Sequence, residues 1–434
     1  MEEENRINKI LDNLIKTGSE ISYLDELKDN SLKLVKRDIS LEEILNKIAN
    51  ELKIETDRFL HQKNQYRTSF ISGISTCIYL PSINNNGEYK LKLIGGNRSR
   101  NLELKVDENT LFDVASVTKL FTLLLVFKLE EQGLINLNEK IYDINPDFQN
   151  LEDFTWNDLI KLHGEYRTDG MVNKATSRAE AYRILKTVYL SSNTRNQNKY
   201  NDFGAIIIGD TLEKVMSKYL GREVTFEYIM QEYLLKPLNL NNTMFNPKTD
   251  NISGNGNNLG LVHDPKARIL GGALGHAGIF TTSDDLARLS KELYSLNYIN
   301  RRHIKELGQV TFPNSNQSQK GNLGIYVKHP LGYESTFTSP EFSKGSFSHQ
   351  GWTGALASFD PNNLIHNSIL VNAIYENDNK ELVKNDKPVG YMDAFVEYQM
   401  NVTRNIMLMY VAKQYYNKYC NVKEDIDVTK FIGK

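Results

Sequence analysis

Apolar residues recur at helical spacing through Ile7, Ile10, Leu11, Leu14 and Ile15, with charged residues between them, which predicts an amphipathic helix. A second helix is better delimited. Ser40 and Glu43 form a capping box, and Leu41, Ile44, Leu45, Ile48 and Leu52 follow on one face. From Ser69 the pattern changes from helix to strand. Phe70 to Leu80 and Tyr89 to Ile94 are rich in β-forming residues, and Asn84-Asn85-Asn86-Gly87 between them reads as a hairpin turn. After Asp113 a helical run extends to Gly133, and residues 150 to 310 carry mostly helical signals joined by Asn- and Gly-containing connections. Strand-like segments return at Gly324 to Val327, Ser346 to His349, Ala355 to Phe359 and Ser368 to Tyr375, with Asp360-Pro361-Asn362-Asn363 as a turn. Asp393 to Tyr419 again reads as helix, and no internal repeat is evident.

Strands near both ends with helices between them predict an α+β fold in which a sheet domain is built from two separated segments. The expected organisation is a helical extension over residues 1–38, a discontinuous sheet domain over 39–145 and 320–434, and a helical insert over 146–319.

Composition narrows the function classes. The 434 residues carry 52 Lys+Arg against 54 Asp+Glu, a net charge of −2, so no basic face for nucleic acid is expected. Two cysteines, Cys77 and Cys420, cannot build a disulfide framework, which fits a reducing compartment. The acidic start, Met1-Glu2-Glu3-Glu4, is unlike the positive start of a secretory signal. The apolar run from Leu120 to Phe127 is far short of the roughly 20 residues that span a bilayer. A soluble cytoplasmic protein with no membrane or nucleic-acid partner is the expectation.

Three short clusters carry candidate chemistry. In Ala115-Ser116-Val117-Thr118-Lys119, Ser116 and Lys119 stand three apart and share a helix face. A serine at a helix start sits where backbone N–H groups favour a developing anion. A free lysine has a pKa of about 10.4, so the pair works only where burial or a neighbouring cation or phenol lowers the lysine's hold on its proton. Tyr200-Asn201-Asp202 precedes a helical run, and His349-Gln350-Gly351-Trp352 ends a strand. His263, Asp264 and His276 lack a His-Glu-x-x-His pair, so no metal is expected. The glycine-rich run from Gly271 to Gly278 lacks the Gly-Lys-Ser/Thr ending of a phosphate loop.

Leu111 to Leu120 resembles the nucleophile segment of the serine β-lactamase and penicillin-binding-protein superfamily. It looks most like the class C β-lactamase-related branch, which includes esterases, D-aminopeptidases and DD-carboxypeptidases. Tyr200-Asn201-Asp202 resembles that branch's Tyr-x-Asn or Tyr-Ser-Asp motif, and His349-Gln350-Gly351 its His-x-Gly or Lys-Thr-Gly strand. Pro237-Leu238-Asn239-Leu240, Thr243-Met244-Phe245 and the block from Val262 to Leu286 are also similar. The resemblance implies an antiparallel sheet flanked by helices with an inserted all-helical domain. It implies Ser116 as nucleophile, Lys119 and Tyr200 as proton carriers, and His349 lining the site. It places Asp202 and Gly351 against substrate, and the N–H groups of Ser116 and Trp352 at the oxyanion. Three positions depart from the pattern: Asp202 stands for asparagine, His349 for lysine and Gln350 for threonine. The loop at His163-Gly164-Glu165-Tyr166 also differs from the family's His-x-Ser-Gly-Leu.

The function expected from these readings is a serine hydrolase that acts through an acyl-enzyme on an ester or a small peptide or amide, without a cofactor. Two alternatives stay open: a catalytically inactive binding or scaffold protein of the same fold, and a D-aminopeptidase, DD-carboxypeptidase or true β-lactamase. Hydrolysis versus acyl transfer and the oligomeric state are not specified by the sequence.

Overall fold

The computed structural model describes residues 41–61, 71–81, 88–99, 102–162, 164–195, 197, 199–254, 260–295, 298–309, 311, 321–327, 345–361, 364–372, 383–384 and 387–388. The helices expected around residues 7–15 and 393–419, the turn at 84–87, and His163 lie outside the described residues.

Helix α1 spans Leu41–His61, followed by strands β1 (Gly73–Pro81), β2 (Glu88–Ser99) and β3 (Leu102–Lys105). Strand β4 (Phe112–Asp113) leads through a 3-10 turn (Ala115–Val117) into α2 (Thr118–Glu131). The middle of the chain supplies α3 (Phe203–Leu220), β5 (Thr243–Phe245), α4 (Pro265–Leu270), β6 (Ile279–Thr281) and α5 (Ser283–Ser295). Then come β7 (Tyr326–Val327), β8 (Phe347–Gln350), β9 (Leu356–Asp360) and β10 (Ile365–Val371). The strand-like segment expected at Gly324 to Val327 keeps only its last two residues as strand, because Asn322–Gly324 forms a 3-10 turn.

The main sheet runs β3-β2-β1-β10-β9-β8-β7 with every neighbouring pair antiparallel. Its centre joins the two ends of the chain: Cys77 lies opposite Ser368 and Ile74 opposite Val371. All seven residues of β10 are buried, as expected for a central strand covered on both faces. On one face α5 is fixed by Ser283, whose hydroxyl lies 2.8 Å from that of Ser75, and by Asp284, which accepts from Tyr79 and pairs with Lys90. On the other face Leu60 of α1 packs where Gly95 and Gly96 leave room in β2.

Thr282 caps α5 by accepting from the Asp285 N–H, while Ser283 bonds the sheet. The sheet layer therefore takes in α5, which the expected boundary at 319 assigned to the insert. Among the described residues, 146–319 are mostly helical and carry the short ladder of Tyr166–Arg167 with Tyr189–Leu190, while β5 and β6 from the same stretch join β4 in the order β4-β6-β5. Helix α2 is buried over Thr118 to Phe127 and again at Leu129. Each Leu or Phe so removed from water contributes about 1.5–3 kcal/mol, which anchors the segment carrying Lys119 between sheet and helices.

Candidate active site

The turn that carries Ser116 is held by three neighbours. Strand β4 pairs with β6, and the Val114 N–H donates to Ile279 O at 3.0 Å. The buried Asp113 carboxylate accepts from the Ala115 N–H at 2.8 Å and the His263 N–H at 2.6 Å. Thr353 donates to Asp113 O at 2.6 Å, which ties the loop after β8 to the same turn. Ala115 adopts φ +45, a left-handed backbone that costs a non-glycine residue energy and that these bonds maintain. Ser116 follows in the 3-10 turn, partly accessible.

Lys119 is fully buried, and its ammonium donates to three oxygens. They are Ser116 Oγ at 3.0 Å, Tyr200 Oη at 2.9 Å and Asp202 Oδ1 at 2.8 Å. Tyr200 and Asp202 arrive on the approach to α3. There the Asn201 side chain accepts from the Gly204 N–H at 3.2 Å, and Asp202 makes no capping bond. The cap is thus supplied by Asn201, which releases the Asp202 carboxylate for the lysines.

Asp202 does not stand as a residue facing substrate alone. Its second oxygen, Oδ2, is 2.8 Å from Lys266 Nζ on α4. Lys266 also lies 3.8 Å from Asp264 Oδ2, and Asp264 Oδ1 is 2.9 Å from His276 Nε2. Asp202, Asp264 and His276 bring their ligand atoms within 4.8 Å of one another, a spacing that could hold a cation, and the Lys266 ammonium already supplies positive charge between the two carboxylates.

These pairings set the charge of the site. Burial by itself would push Lys119 down, but the Asp202 charge and then Tyr200 outweigh it, so Lys119 is raised above the ordinary lysine value. The expectation that burial and its neighbours would loosen its proton is therefore corrected, because the carboxylate beside it was not foreseen. Burial likewise works against Asp202, yet Lys119, His276 and Lys266 hold it well below the usual carboxylate range. Tyr326 on β7 is pushed up to about 12, by burial first and then by Tyr200.

Strand β8 closes the other side. Gly351 lies so close to the turn that carries Ser116 that a Cβ would sit 2.2 Å from Val114 O, so only glycine fits without displacing backbone. Its N–H donates to Ala355 O at 2.7 Å. Trp352 is 42% exposed at the rim beside this turn. His349 is buried, with Nε2 3.2 Å from Leu323 O and Nδ1 3.1 Å from Gln350 O. Leu323 belongs to the turn whose next residue, Gly324 at φ +87, supports the Tyr200 ring; a Cβ there would lie 2.3 Å from the ring. His349 thus touches the turn behind Tyr200.

The structure brings Ser116, Lys119, Tyr200 and Asp202 into one hydrogen-bonded group and sets Gly351 against its supporting turn. Sequence reasoning missed Asp113 and Lys266. For Lys266 the available signal was the His263-Asp264-Pro265-Lys266 string, in which a proline-started helix presents a lysine beside an acid.

A family model described as Beta-lactamase matches residues 82–388. A Salmonella gallinarum protein named "Putative D-alanyl-D-alanine carboxypeptidase" is 27% identical over 315 residues, covering 62% of this chain and 70% of that protein. The N-acetylmuramyl-L-alanine amidase of Bacillus subtilis is 25% identical over 307 residues, covering 59% of this chain and 66% of the amidase. Among solved structures, EstCE1, a hydrolase with promiscuous acyltransferase activity, superposes with a TM-score of 0.61 at 15% identity, over 82% of this chain and 100% of that one. That likeness concerns the fold. No described helix is long and apolar enough to cross a membrane.

Proposed function

The chain belongs to the beta-lactamase family, and from that membership we propose a serine hydrolase that cleaves an ester or a small peptide or amide through an acyl-enzyme on Ser116. The observation that carries the reading is Lys119 Nζ, 3.0 Å from Ser116 Oγ and 2.9 Å from Tyr200 Oη. An ammonium aimed at two hydroxyl oxygens stabilises negative charge developing on either. An ammonium cannot itself accept a proton, so the Lys119–Tyr200 pair becomes competent as a base once it has lost one proton between its two members.

Ser116 Oγ then bonds to the substrate carbonyl carbon, and its proton passes to that pair. The backbone N–H groups of Ser116 and Trp352 face the oxyanion, where each donor contributes about 3–4 kcal/mol to the transition state. Collapse breaks the C–O or C–N bond, and the leaving group takes the proton back from Tyr200. Water attacks the acyl carbon next, its proton following the same route, and Ser116 leaves with its hydroxyl restored. Apart from the substrate and the attacking water, every group in these steps belongs to the chain.

The relatives' names, a carboxypeptidase and an amidase, support acyl-transfer chemistry on an amide bond. A binding role for the same fold would not need the Ser116–Lys119–Tyr200 contacts, which are retained. The test is a panel of short-chain esters, D- and L-amino-acid amides, a D-alanyl-D-alanine peptide and a chromogenic β-lactam, assayed on wild type and Ser116→Ala. Turnover of an ester or amide that is lost in Ser116→Ala is expected. Turnover equal in both proteins would contradict the proposal.

A further inference from the structure

Beyond the Ser–Lys–Tyr group, the site continues as a row of alternating charges. Lys119 holds one oxygen of Asp202 and Lys266 the other, each at 2.8 Å. Lys266 also lies 3.8 Å from Asp264, which is fixed on its far side by His276 at 2.9 Å and by the Ala267 N–H at 2.8 Å. Three elements thus converge on one carboxylate: α2, the approach to α3, and α4.

We propose that Lys266 is a positioning residue for the acylation step. By occupying the second oxygen of Asp202 it fixes that carboxylate and divides its charge, so that the Lys119–Tyr200 pair gives up a proton more readily than it would beside an Asp202 shared with no other cation. The inference rests on the serine hydrolase reading above.

Among the described residues, the polar, titratable or charged groups around the pair are Ser116 from the 3-10 turn, Asp202 before α3, Lys266 on α4 with Asp264 before it, His276 before β6, Tyr326 on β7 and His349 on β8. Whichever member of the pair loses the proton, a neighbouring negative charge makes the loss harder and a positive charge makes it easier. Asp202 and Lys266 therefore pull in opposite directions. Lys266 is itself held as a cation: burial works against its charge, and Asp202 and Asp264 more than offset that. A lysine present only to neutralise two acids would change stability and leave the protonation of the catalytic pair where it was.

The experiment measures the second-order rate of covalent labelling of Ser116 by a fluorophosphonate against pH, read by intact mass on the full chain. Removing the ammonium in Lys266→Met is expected to move the acid limb of that profile up by on the order of one pH unit. Lys266→Arg should return it to the wild-type position, and Asp202→Asn should move it down. The limb's position is read from the shape of the profile, so it does not depend on the amount of folded protein. Lys266→Gln carries the same expectation should the Met variant fail to fold. An unmoved limb in a labelled Lys266→Met or Lys266→Gln protein overturns this inference and leaves the hydrolase reading standing. A wild type unlabelled on Ser116 at every pH overturns both.

Discussion

Lys119 Nζ lies 2.8 Å from Asp202 Oδ1 and 3.0 Å from Ser116 Oγ, so the partner of the Ser116 hydroxyl is also one half of an ion pair. The lysine therefore rests as a cation, raised above its ordinary value despite full burial, and the site must lose a proton before it can act as a base.

Replacing Lys119 by Met removes both the stabilising charge and the route for the Ser116 proton. The loss expected from one general acid–base group is about 10²–10⁴-fold in kcat. KM should change little, because no substrate contact is assigned to this buried side chain. A steady-state comparison with wild type checks this. A tenfold loss carried wholly by KM would contradict it.

That lysine was legible in the sequence because its partner Ser116 stands three residues away and local spacing sets their geometry. Tyr200 was legible through its motif. The resemblance set Asp202 against substrate, and nothing in the sequence places Lys266 beside it; their contact joins residues 64 positions apart through the packing of α4 on the approach to α3. The strands of the sheet were recognisable one by one from composition. Their order was not, since the pairing of Ile74 with Val371 spans most of the chain. Helix α5 read as part of the insert because its spacing is simply that of an amphipathic helix; its place on the sheet comes from Ser283 and Asp284 meeting Ser75, Tyr79 and Lys90.

Gly351→Ala should be costly for a backbone reason. The added Cβ would lie 2.2 Å from Val114 O, and the displacement must move either the end of β8 or the turn that carries Ser116. Overpacking of this kind costs about 1–3 kcal/mol, and a misplacement near 1 Å can cost about 100-fold in rate. Thermal melting and kcat measured together check it. Unchanged activity at unchanged melting temperature would show that β8 does not press on the turn.

Stability should fall on acidification in a way traceable to His366. This buried imidazole bonds Ser290, and burial, with Lys291 adding to it, pushes it down to about 3 from an unfolded value of 6.5. Between those values the unfolded chain binds the proton and the native state does not, so stability is full above 6.5 and is lost as pH falls toward 3. The slope is about 1.4 kcal/mol for each pH unit crossed. Urea melts of wild type and His366→Gln from pH 7 to pH 4 should show the steeper loss in wild type. Parallel slopes would contradict the assignment.

The central claim is that Ser116 is a nucleophile activated by Lys119 and Tyr200. Its most direct test is intact-mass measurement after treatment with a fluorophosphonate, applied to wild type, Ser116→Ala and Lys119→Met. The account predicts a single adduct on wild type, mapped to Ser116, with none on Ser116→Ala and labelling slowed at least about 100-fold on Lys119→Met. An unlabelled wild type, or an adduct of equal yield on Ser116→Ala, would contradict it.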